Sequence, residues 1–400
     1  MTGRGIRPGS PAFIALIAAF MTMTAMTIDI NLPAIPLTAT DLSTSLTTAQ
    51  LTVSVFFAGF ALGQLLWGPA SDRFGRKPAM LAGTAVFVLT TVGCALAGSI
   101  ETLLAMRLVQ GFGAGAGAVL GRVIIRDLFH GPEMARVLSL AIAAFITAPI
   151  VAPSIGAVIL ALSDSWRAIF VFLALYGVAL LVLAWLFLDE SLKERNPAAL
   201  DPARLLAAFA AVFRHPVSRP PALVVILIFG ALTLYLTNAA AVFMDGYGMT
   251  PTAFGAAFGV VAVFSAAGSV LNARLVKRLP LPAVVRAGLL GGLAAGALTL
   301  LVAWSDLGGG WAVVAGFALF FVNFGLVAAN ATTMALQPHG AVAGSAAAAL
   351  GFAQTVVPAA FASGVAALYD GTAVPLLAAT VGVVVLGLVV IGRAPAAAPA

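Results

Sequence analysis

The stretch GPASDRFGRKP at residues 68–78 decides the fold, because it is a short charged turn between two long apolar runs. The runs on either side lie near residues 48–69 and 78–98, and each approaches the ~20 residues that a helix needs to cross a bilayer. Over the whole chain, 62% of the 400 residues are hydrophobic and only 8% are charged. Soluble domains contain roughly 25% charged residues. The composition therefore predicts a helical membrane protein.

Twelve apolar runs follow one another along the chain, without the alternating polarity that would indicate strands. Because a backbone in lipid must be hydrogen-bonded internally, we predict one helix for each run. The runs lie near residues 12–35, 48–69, 78–98, 102–125, 135–161, 166–188, 220–244, 252–274, 281–303, 311–334, 340–367 and 373–392. A polar stretch divides them into six and six. We therefore predict an all-α membrane protein with an N-terminal six-helix bundle at 1–188, a cytoplasmic central loop at 189–219 and a C-terminal six-helix bundle at 220–400.

Positive charges fall at one end of alternate runs, and cytoplasmic loops carry the excess of Lys and Arg. We therefore predict a multi-pass protein of the bacterial inner membrane with both termini in the cytoplasm. Only Arg107 and Arg167 depart from this distribution. The first run follows Arg4 and Arg7 as a signal peptide would, but it is too long and contains Asp29. We predict that it is retained as a helix.

The sequence also argues against several classes of protein. The net charge is +6, but the basic residues form short clusters between apolar runs, so we expect no nucleic-acid binding. Cys94 is the single cysteine and the three histidines form no metal-ligand pattern, so we expect neither a disulfide nor a metal site. A Gly-Lys-Ser/Thr phosphate loop and a clustered catalytic set are both absent. We therefore expect no cofactor, no use of ATP and no enzyme activity.

Asp29 and Arg107 are rare charges within predicted membrane helices. An Arg in the centre of such a helix costs at least ~2.5 kcal/mol to insert, so it should face a cavity or an acid. At ~1.5 Å per residue, Asp29 lies about 10 Å from the helix end near Pro36, and Arg107 lies about 9 Å from Glu101. We therefore predict that the two side chains share one layer and can pair. The pair either alternates between protonation states or is static and fixes the register of the helices.

Polar side chains in the predicted spans are candidates for a substrate cavity, although such residues often serve helix contacts instead. The candidates are Asn31, Gln64, Tyr235, Asn238, Asn323, Asn330 and Gln354. The neighbouring aromatic residues Phe56, Phe57, Phe320 and Phe321 are interpreted as lipid-facing or core residues. A pocket with aromatic walls, few charges and one acid would suit a small amphiphilic substrate.

Two motifs in the first half resemble motifs of the major facilitator superfamily. The turn at 68–78 is similar to motif A, in which a glycine allows close helix approach. The resemblance implies that Asp72 ends the second helix and that the motif is a cytoplasmic gate, formed here by Gly68, Asp72, Arg73, Gly75 and Arg76. The stretch RLVQG at 107–111 is similar to motif B, whose Arg is linked with proton transfer.

The fifth and first runs extend this resemblance to nearly the whole chain. Pro149, Pro153 and Gly156 look like motif C of antiporters, although Ala148 and Ala157 stand where glycines are usual. The stretch DINLPAIP at 29–36 resembles the first helix of twelve-span drug:proton antiporters of the bicyclomycin-resistance (Bcr/CflA) type. Asn31 replaces the tyrosine that is usual there.

The resemblance implies two pseudo-symmetric bundles and a proton-coupled exporter of drugs or antibiotics that works by alternating access. In that mechanism a proton from outside neutralises Asp29, and its release inside regenerates the carboxylate, with Arg107 as the coupled partner. The alternative is a secondary transporter of an endogenous metabolite, such as an amino-acid derivative or a nucleoside. We expect a monomer that contacts a small amphiphilic substrate, protons and membrane lipid, with the proton gradient as its energy source.

Overall fold

The computed structural model describes residues 6–197 and 199–393. Every regular element in these ranges is helical, which confirms the predicted all-α class. The helices are α1 Pro11–Asp29, α2 Ile35–Asp41, α3 Leu46–Phe74, α4 Arg76–Ala95, α5 Ile100–Leu128, α6 Gly131–Ser163, α7 Arg167–Phe187, α8 Pro202–Arg214, α9 Arg219–Ala240, α10 Pro251–Leu275, α11 Leu281–Trp304, α12 Gly309–Leu336, α13 Ala343–Ala366 and α14 Val374–Gly392. Two 3₁₀ segments, Leu32–Ala34 and Gln337–Val342, and a π-helical segment, Ala241–Gly246, adjoin them.

The predicted membrane spans coincide with these helices. Eleven helical segments of the described chain are long and apolar enough to cross a membrane, from Pro11–Asp41 to Val374–Gly392. The remaining predicted span is α6, in which Thr147–Ser163 is apolar. The described part of the structure does not include Arg4 or the side chains of residues 132, 135, 139 and 142–146. The chain is therefore a multi-pass membrane protein.

The chain forms two compact units, one ending at Pro202 and the other beginning at Ala203. The segment predicted as a central loop is not entirely loop, because it contains α8. One side of α8 packs into the second unit, where the ring of Phe209 meets an aromatic ring of α13 edge-on at 5.7 Å. Leu206, on the same helix, is exposed.

Glycines set the distance between α3 and α5 in the first unit. A methyl group on Gly59 would overlap the carbonyl oxygen of Leu108, and one on Gly111 would overlap that of Phe56. An added Cβ at Gly68 would instead make an ordinary contact of 3.7 Å with a side chain of α5. The close helix approach predicted at Gly68 is therefore wrong for that position, and Gly59 and Gly111 provide it.

The first membrane helix is broken directly after Asp29, where α1 ends. Pro33 has no N–H, so the carbonyl group of Asp29 four residues earlier cannot receive its helical hydrogen bond. The chain makes a 3₁₀ turn instead, in which the N–H of Ala34 donates to the carbonyl oxygen of Asn31 at 3.0 Å. Asp29 thus lies at the C-terminal end of a helix, which is the negative end of the helix dipole.

Candidate functional site

Asp29 and Asn31 are buried polar residues at this break, and each is only 3% exposed. No hydrogen bond or ion pair joins the Asp29 carboxyl group to another residue within 6–197 and 199–393. The side-chain oxygen of Asn31 also has no partner among these residues. A buried carboxylate costs several kcal/mol when it is ionised and unpaired. Asp29 is therefore a candidate site for a proton or a ligand.

The break is packed against α6, which carries the residues that resemble motif C. Gly156 lies on the carbonyl oxygen of Ile30, and a methyl group at Gly156 would overlap that oxygen and crowd Pro33. Pro149 and Pro153 lie within α6, which continues through both prolines as one helix. The glycine of this motif therefore supports the segment that follows Asp29.

Asp29 and Arg107 lie at similar heights in the first unit. The backbone of Gly117 on α5 lies on the carbonyl oxygen of Phe20 on α1, and Gly121, one turn later on α5, lies against the side chains of Met21 and Ile17. The helices are therefore antiparallel. Asp29 is nine residues from Phe20, or about 14 Å, and Arg107 is ten residues from Gly117 in the same direction, or about 15 Å.

Arg107 is fully buried, and its guanidinium is hydrogen-bonded to its own helix and to α3. Its Nη1 donates to Gln110 Oε1 at 2.7 Å, and its Nε donates to the carbonyl oxygen of Thr52 at 3.2 Å. Gln110 Nε2 in turn donates to Thr91 Oγ1 at 2.7 Å, which links α5 to α4. Gln110 was not predicted as a site residue, although its position three residues after Arg107 places both on one helix face.

Two aromatic rings complete the surroundings of Arg107. Its guanidinium lies 4.5 Å from the ring centre of Phe56 and 5.7 Å from that of Phe170, within the range of cation–π attraction. Phe56 is therefore a core residue that contacts a charge. The predicted pair between Asp29 and Arg107 does not form, because Arg107 binds Gln110, a carbonyl group and these rings. Its Nη2 has no hydrogen-bond partner in the described part of the chain.

Arg76 is the centre of a charge network at the other end of the first unit. Its Nη1 lies 2.5 Å from Asp72 Oδ1, and its Nε lies 2.7 Å from Asp127 Oδ2 at the end of α5. Nη1 also donates to Ser71 Oγ at 2.7 Å. The network thus joins α3, α4 and α5. Asp127 was not predicted, because the sequence gives no indication of which helix end lies beside the turn.

Glu190, which follows α7, binds the start of α4. Its carboxylate accepts from the backbone N–H groups of Arg76 at 2.9 Å and Lys77 at 3.3 Å, where the helix dipole favours a negative charge. Gly75 adopts a φ of 111°, and a Cβ there would crowd the Glu190 carboxylate. Asp72 does not end the second membrane helix, because α3 continues to Phe74 and stops at Gly75.

Arg73 is a predicted gate residue whose side chain forms no hydrogen bond or ion pair with this network in the described part of the chain. Its guanidinium lies over the ring of Phe74 at 5.3 Å. Among the described residues, the ion pairs of the turn involve Arg76 instead. The position of an arginine in the motif therefore does not determine whether its side chain joins the ion pairs.

Replacing Glu190 by Ala is expected to lower the free energy of unfolding by about 1–2 kcal/mol, because two N–H groups of α4 lose a charged acceptor. Thermal unfolding in detergent measures this change. Arg73→Ala in the same turn serves as the control and should stay within about 0.5 kcal/mol of the parent. Equal losses in the two variants would contradict the role of Glu190.

Tyr235 lies in an aromatic cluster of the second unit. Its ring is 5.4 Å from that of Phe258, 5.0 Å from Phe317 and 5.2 Å from Phe321. Phe321 also contacts Phe320, and both are 2% exposed, so these two are core residues. The cluster is therefore an apolar, aromatic part of the core of the second unit.

The other amide candidates are mostly bonded within their own helices. Asn238 and Asn323 donate to backbone carbonyl oxygens four residues earlier, at 2.9 and 3.0 Å. Asn330 also donates to Asn272 Oδ1 at 2.6 Å, which links α12 to α10. Gln354 is half-buried in α13. Helix packing explains the contacts of Asn330 better than a substrate contact does.

Gln64 is buried on α3. An apolar groove of about 500 Å³ lies elsewhere in the first unit, between α4 and α7, and no candidate residue lines it. It is lined by Leu81, Ala82, Ala85, Leu181, Val182 and Trp185. Apart from the indole of Trp185, its lining side chains are aliphatic.

The family of the chain follows from its similarity to known proteins. The sequence model of the Major Facilitator Superfamily matches residues 14–365. The chain belongs to the major facilitator superfamily. A bicyclomycin resistance protein homolog of Haemophilus influenzae is 31% identical, with 91% of each chain covered. A chloramphenicol resistance protein of Pseudomonas aeruginosa is 30% identical, covering 83% of this chain and 77% of that protein.

Solved structures agree with this assignment at the level of the fold. A D-xylose-proton symporter has a TM-score of 0.75 at 16% identity, covering 96% of this chain and 98% of its own. A peptide transporter in complex with sulfate has a TM-score of 0.76 at 16% identity, covering 98% and 96%. This major facilitator protein is therefore a membrane-embedded small-molecule transporter, and its relatives include proteins named for antibiotic resistance.

Proposed function

We propose that this chain is a proton-coupled secondary active exporter that exchanges small amphiphilic molecules for protons by alternating access. The observation that carries the proposal is Asp29, a buried carboxyl group at a break in the first membrane helix with no bonded partner among the described residues. Such a group is costly in its ionised form unless a proton or a ligand compensates its charge. Relatives named as bicyclomycin and chloramphenicol resistance proteins support small antibiotics as the substrate class.

In this mechanism the proton and the substrate compete for Asp29. A proton that reaches the carboxylate makes it neutral, and the buried position tolerates the neutral acid. A substrate compensates the ionised form by donating hydrogen bonds or by placing a positive charge beside it. Arg107, at a similar height, attracts the ionised form by its charge, so that loss of the proton does not leave an isolated anion. The proton gradient is then the energy source, and no cofactor takes part.

The Arg76 network contributes the gate in this proposal. Asp72 and Asp127 hold Arg76 at the end of the first unit that lies opposite Asp29. We assign that end to the cytoplasm because positive charges are concentrated there. We infer that the network holds the ends of α3, α4 and α5 in one arrangement on this side, and that this arrangement favours one of the two states of the transport cycle.

Transport by the purified protein in liposomes tests this function. An imposed pH gradient should drive ethidium, a permanent cation, or chloramphenicol, a neutral molecule, against its own concentration gradient, and a protonophore should abolish that movement. Transport that persists with a protonophore would contradict proton coupling. Absence of transport for both probes would contradict the amphiphile assignment and favour an endogenous metabolite as the substrate.

A further inference from the structure

We propose that each unit carries a clamp, formed by an acid and an aromatic donor, that positions the irregular first membrane helix of that unit. In the first unit this clamp would set the geometry around Asp29, and this part rests on the proposed function. The Asp41 clamp consists of Asp41, Trp166 and Arg167, and the Asp245 clamp consists of Asp245 and Tyr369.

The Asp41 clamp joins three elements at one end of the first unit. Asp41 is the last residue of α2, and its Oδ2 accepts from Trp166 Nε1 at 2.9 Å and forms an ion pair with Arg167 Nη1. Arg167 Nη2 also donates to the carbonyl oxygen of Ala97, after α4, at 3.0 Å. The guanidinium lies 4.3 Å from the Trp166 ring. Arg167, which departs from the distribution of positive charges in the sequence, thus has a structural partner.

The Asp41 clamp is coupled to the Asp29 site by packing. α2 has only seven residues, so the clamp holds one end of it and the helix break lies at the other. Trp166 is 1% exposed and belongs to the same hydrophobic cluster as Ile30 and Ala34 of the break. Its ring meets that of Phe170 at 5.8 Å, and Phe170 is one of the two rings beside Arg107. A shift of Trp166 would therefore be transmitted to both charged residues.

The Asp245 clamp has the corresponding position in the second unit. Asp245 lies in the π-helical segment Ala241–Gly246 that follows α9. The hydroxyl group of Tyr369, between α13 and α14, lies 2.9 Å from Asp245 Oδ2 and 2.9 Å from the carbonyl oxygen of Ala241. Burial, together with the Asp245 carboxylate, raises the pKa of Tyr369, so the hydroxyl group keeps its proton as a donor. π-Helical turns are frequent at functional sites.

The two clamps share one design. In each unit an acid at the end of the first span accepts a hydrogen bond from an aromatic residue that stands before the last span, at the start of α7 or ahead of α14. The Asp41 and Arg167 side chains are 44% and 35% exposed, and ion pairs at such exposure contribute little to overall stability. We therefore expect the clamps to affect the local order of the segments that they contact, and not the overall stability of the protein.

Hydrogen–deuterium exchange of the full-length protein in lipid nanodiscs tests both clamps. Trp166→Phe removes the Nε1 donor but keeps a ring, and it should speed exchange at residues 30–34 by about 3- to 10-fold while leaving 241–247 unchanged. Tyr369→Phe should do the reverse. Asp41→Asn provides a second variant should Trp166→Phe fail to fold. Trp185→Phe, an exposed position on α7, serves as the matched control.

The outcomes separate the clamp from the proposed function, because exchange is measured without transport. Unchanged exchange in the variant's own segment, or equal acceleration in both segments, would overturn the clamp. If the Asp41 clamp acts on Asp29, Trp166→Phe should also shift the pH profile of ethidium transport. The profile of Arg167→Lys should then lie closer to that of the parent than the profile of Arg167→Ala does. Altered exchange with an unaltered pH profile would overturn only the link between the Asp41 clamp and Asp29.

Discussion

Asp29→Asn is expected to lower the rate of proton-driven transport by at least about 100-fold, while the protein remains folded. The amide has nearly the shape of the carboxyl group, but it cannot bind and release a proton near neutral pH. Because Asp29 has no bonded partner in the described chain, its replacement breaks no hydrogen bond or ion pair there. Removal of an unpaired buried acid should even raise the thermal unfolding midpoint, as happens when a strained functional residue is replaced.

The matched control for this variant is Asp164→Asn. Asp164 is an exposed acid of the same unit with a φ of 48°, and asparagine tolerates that left-handed backbone. Both variants remove one negative charge, so a general charge effect would appear in each. Gradient-driven ethidium transport in liposomes should survive Asp164→Asn and fail with Asp29→Asn. Parent-like transport by Asp29→Asn would remove Asp29 from the mechanism.

Arg107→Ala is expected to reduce both stability and transport. The substitution leaves the buried oxygen of Gln110 without its charged donor, and it opens a cavity between the rings of Phe56 and Phe170. An unsatisfied buried acceptor and a cavity together should cost about 2–4 kcal/mol, partly offset because a buried charge is also removed. Thermal unfolding and ethidium transport, measured on the same preparation, check the two effects.

Arg107→Lys separates the charge from the shape of this side chain. Lysine keeps the positive charge and can donate to Gln110, but it cannot also reach the Thr52 carbonyl group and lie flat against two rings. We expect intermediate stability, with transport reduced about 10-fold or more if the position of the charge matters. An Arg107→Ala protein that equalled the parent in both measurements would show that the network is dispensable.

The helical spans could be predicted from sequence because long apolar runs carry little ambiguity. The break after Asp29 was not predicted, because the run at 12–35 was interpreted as one helix, although Pro33 removes a helical hydrogen bond. The functions of Phe56 and Phe170 could not be predicted, because aromatic residues serve both lipid-facing and buried surfaces in membrane helices. Their contact with Arg107 depends on how three helices rotate, and neither composition nor spacing determines that.

The remaining differences between the prediction and the structure arise from contacts between residues that lie far apart in the sequence. Glu190 binds the start of α4 across more than a hundred residues of sequence, and Asp127 reaches Arg76 from the end of another helix. In contrast, the depth of Asp29 and Arg107 could be predicted by counting residues, because helical rise is constant. The predicted pairing of the two side chains was wrong, because Arg107 donates instead to Gln110 on its own helix and to the Thr52 carbonyl oxygen on α3.

Proton release on substrate binding tests the role of Asp29 most directly. Purified protein in weakly buffered detergent solution near pH 7 is titrated with the transported probe, and a pH-sensitive dye records the protons released. The parent should release up to about one proton per bound molecule through linkage, and Asp29→Asn should bind the probe but release none. Equal release by the two proteins, or saturated binding to the parent without release, would contradict proton exchange at Asp29.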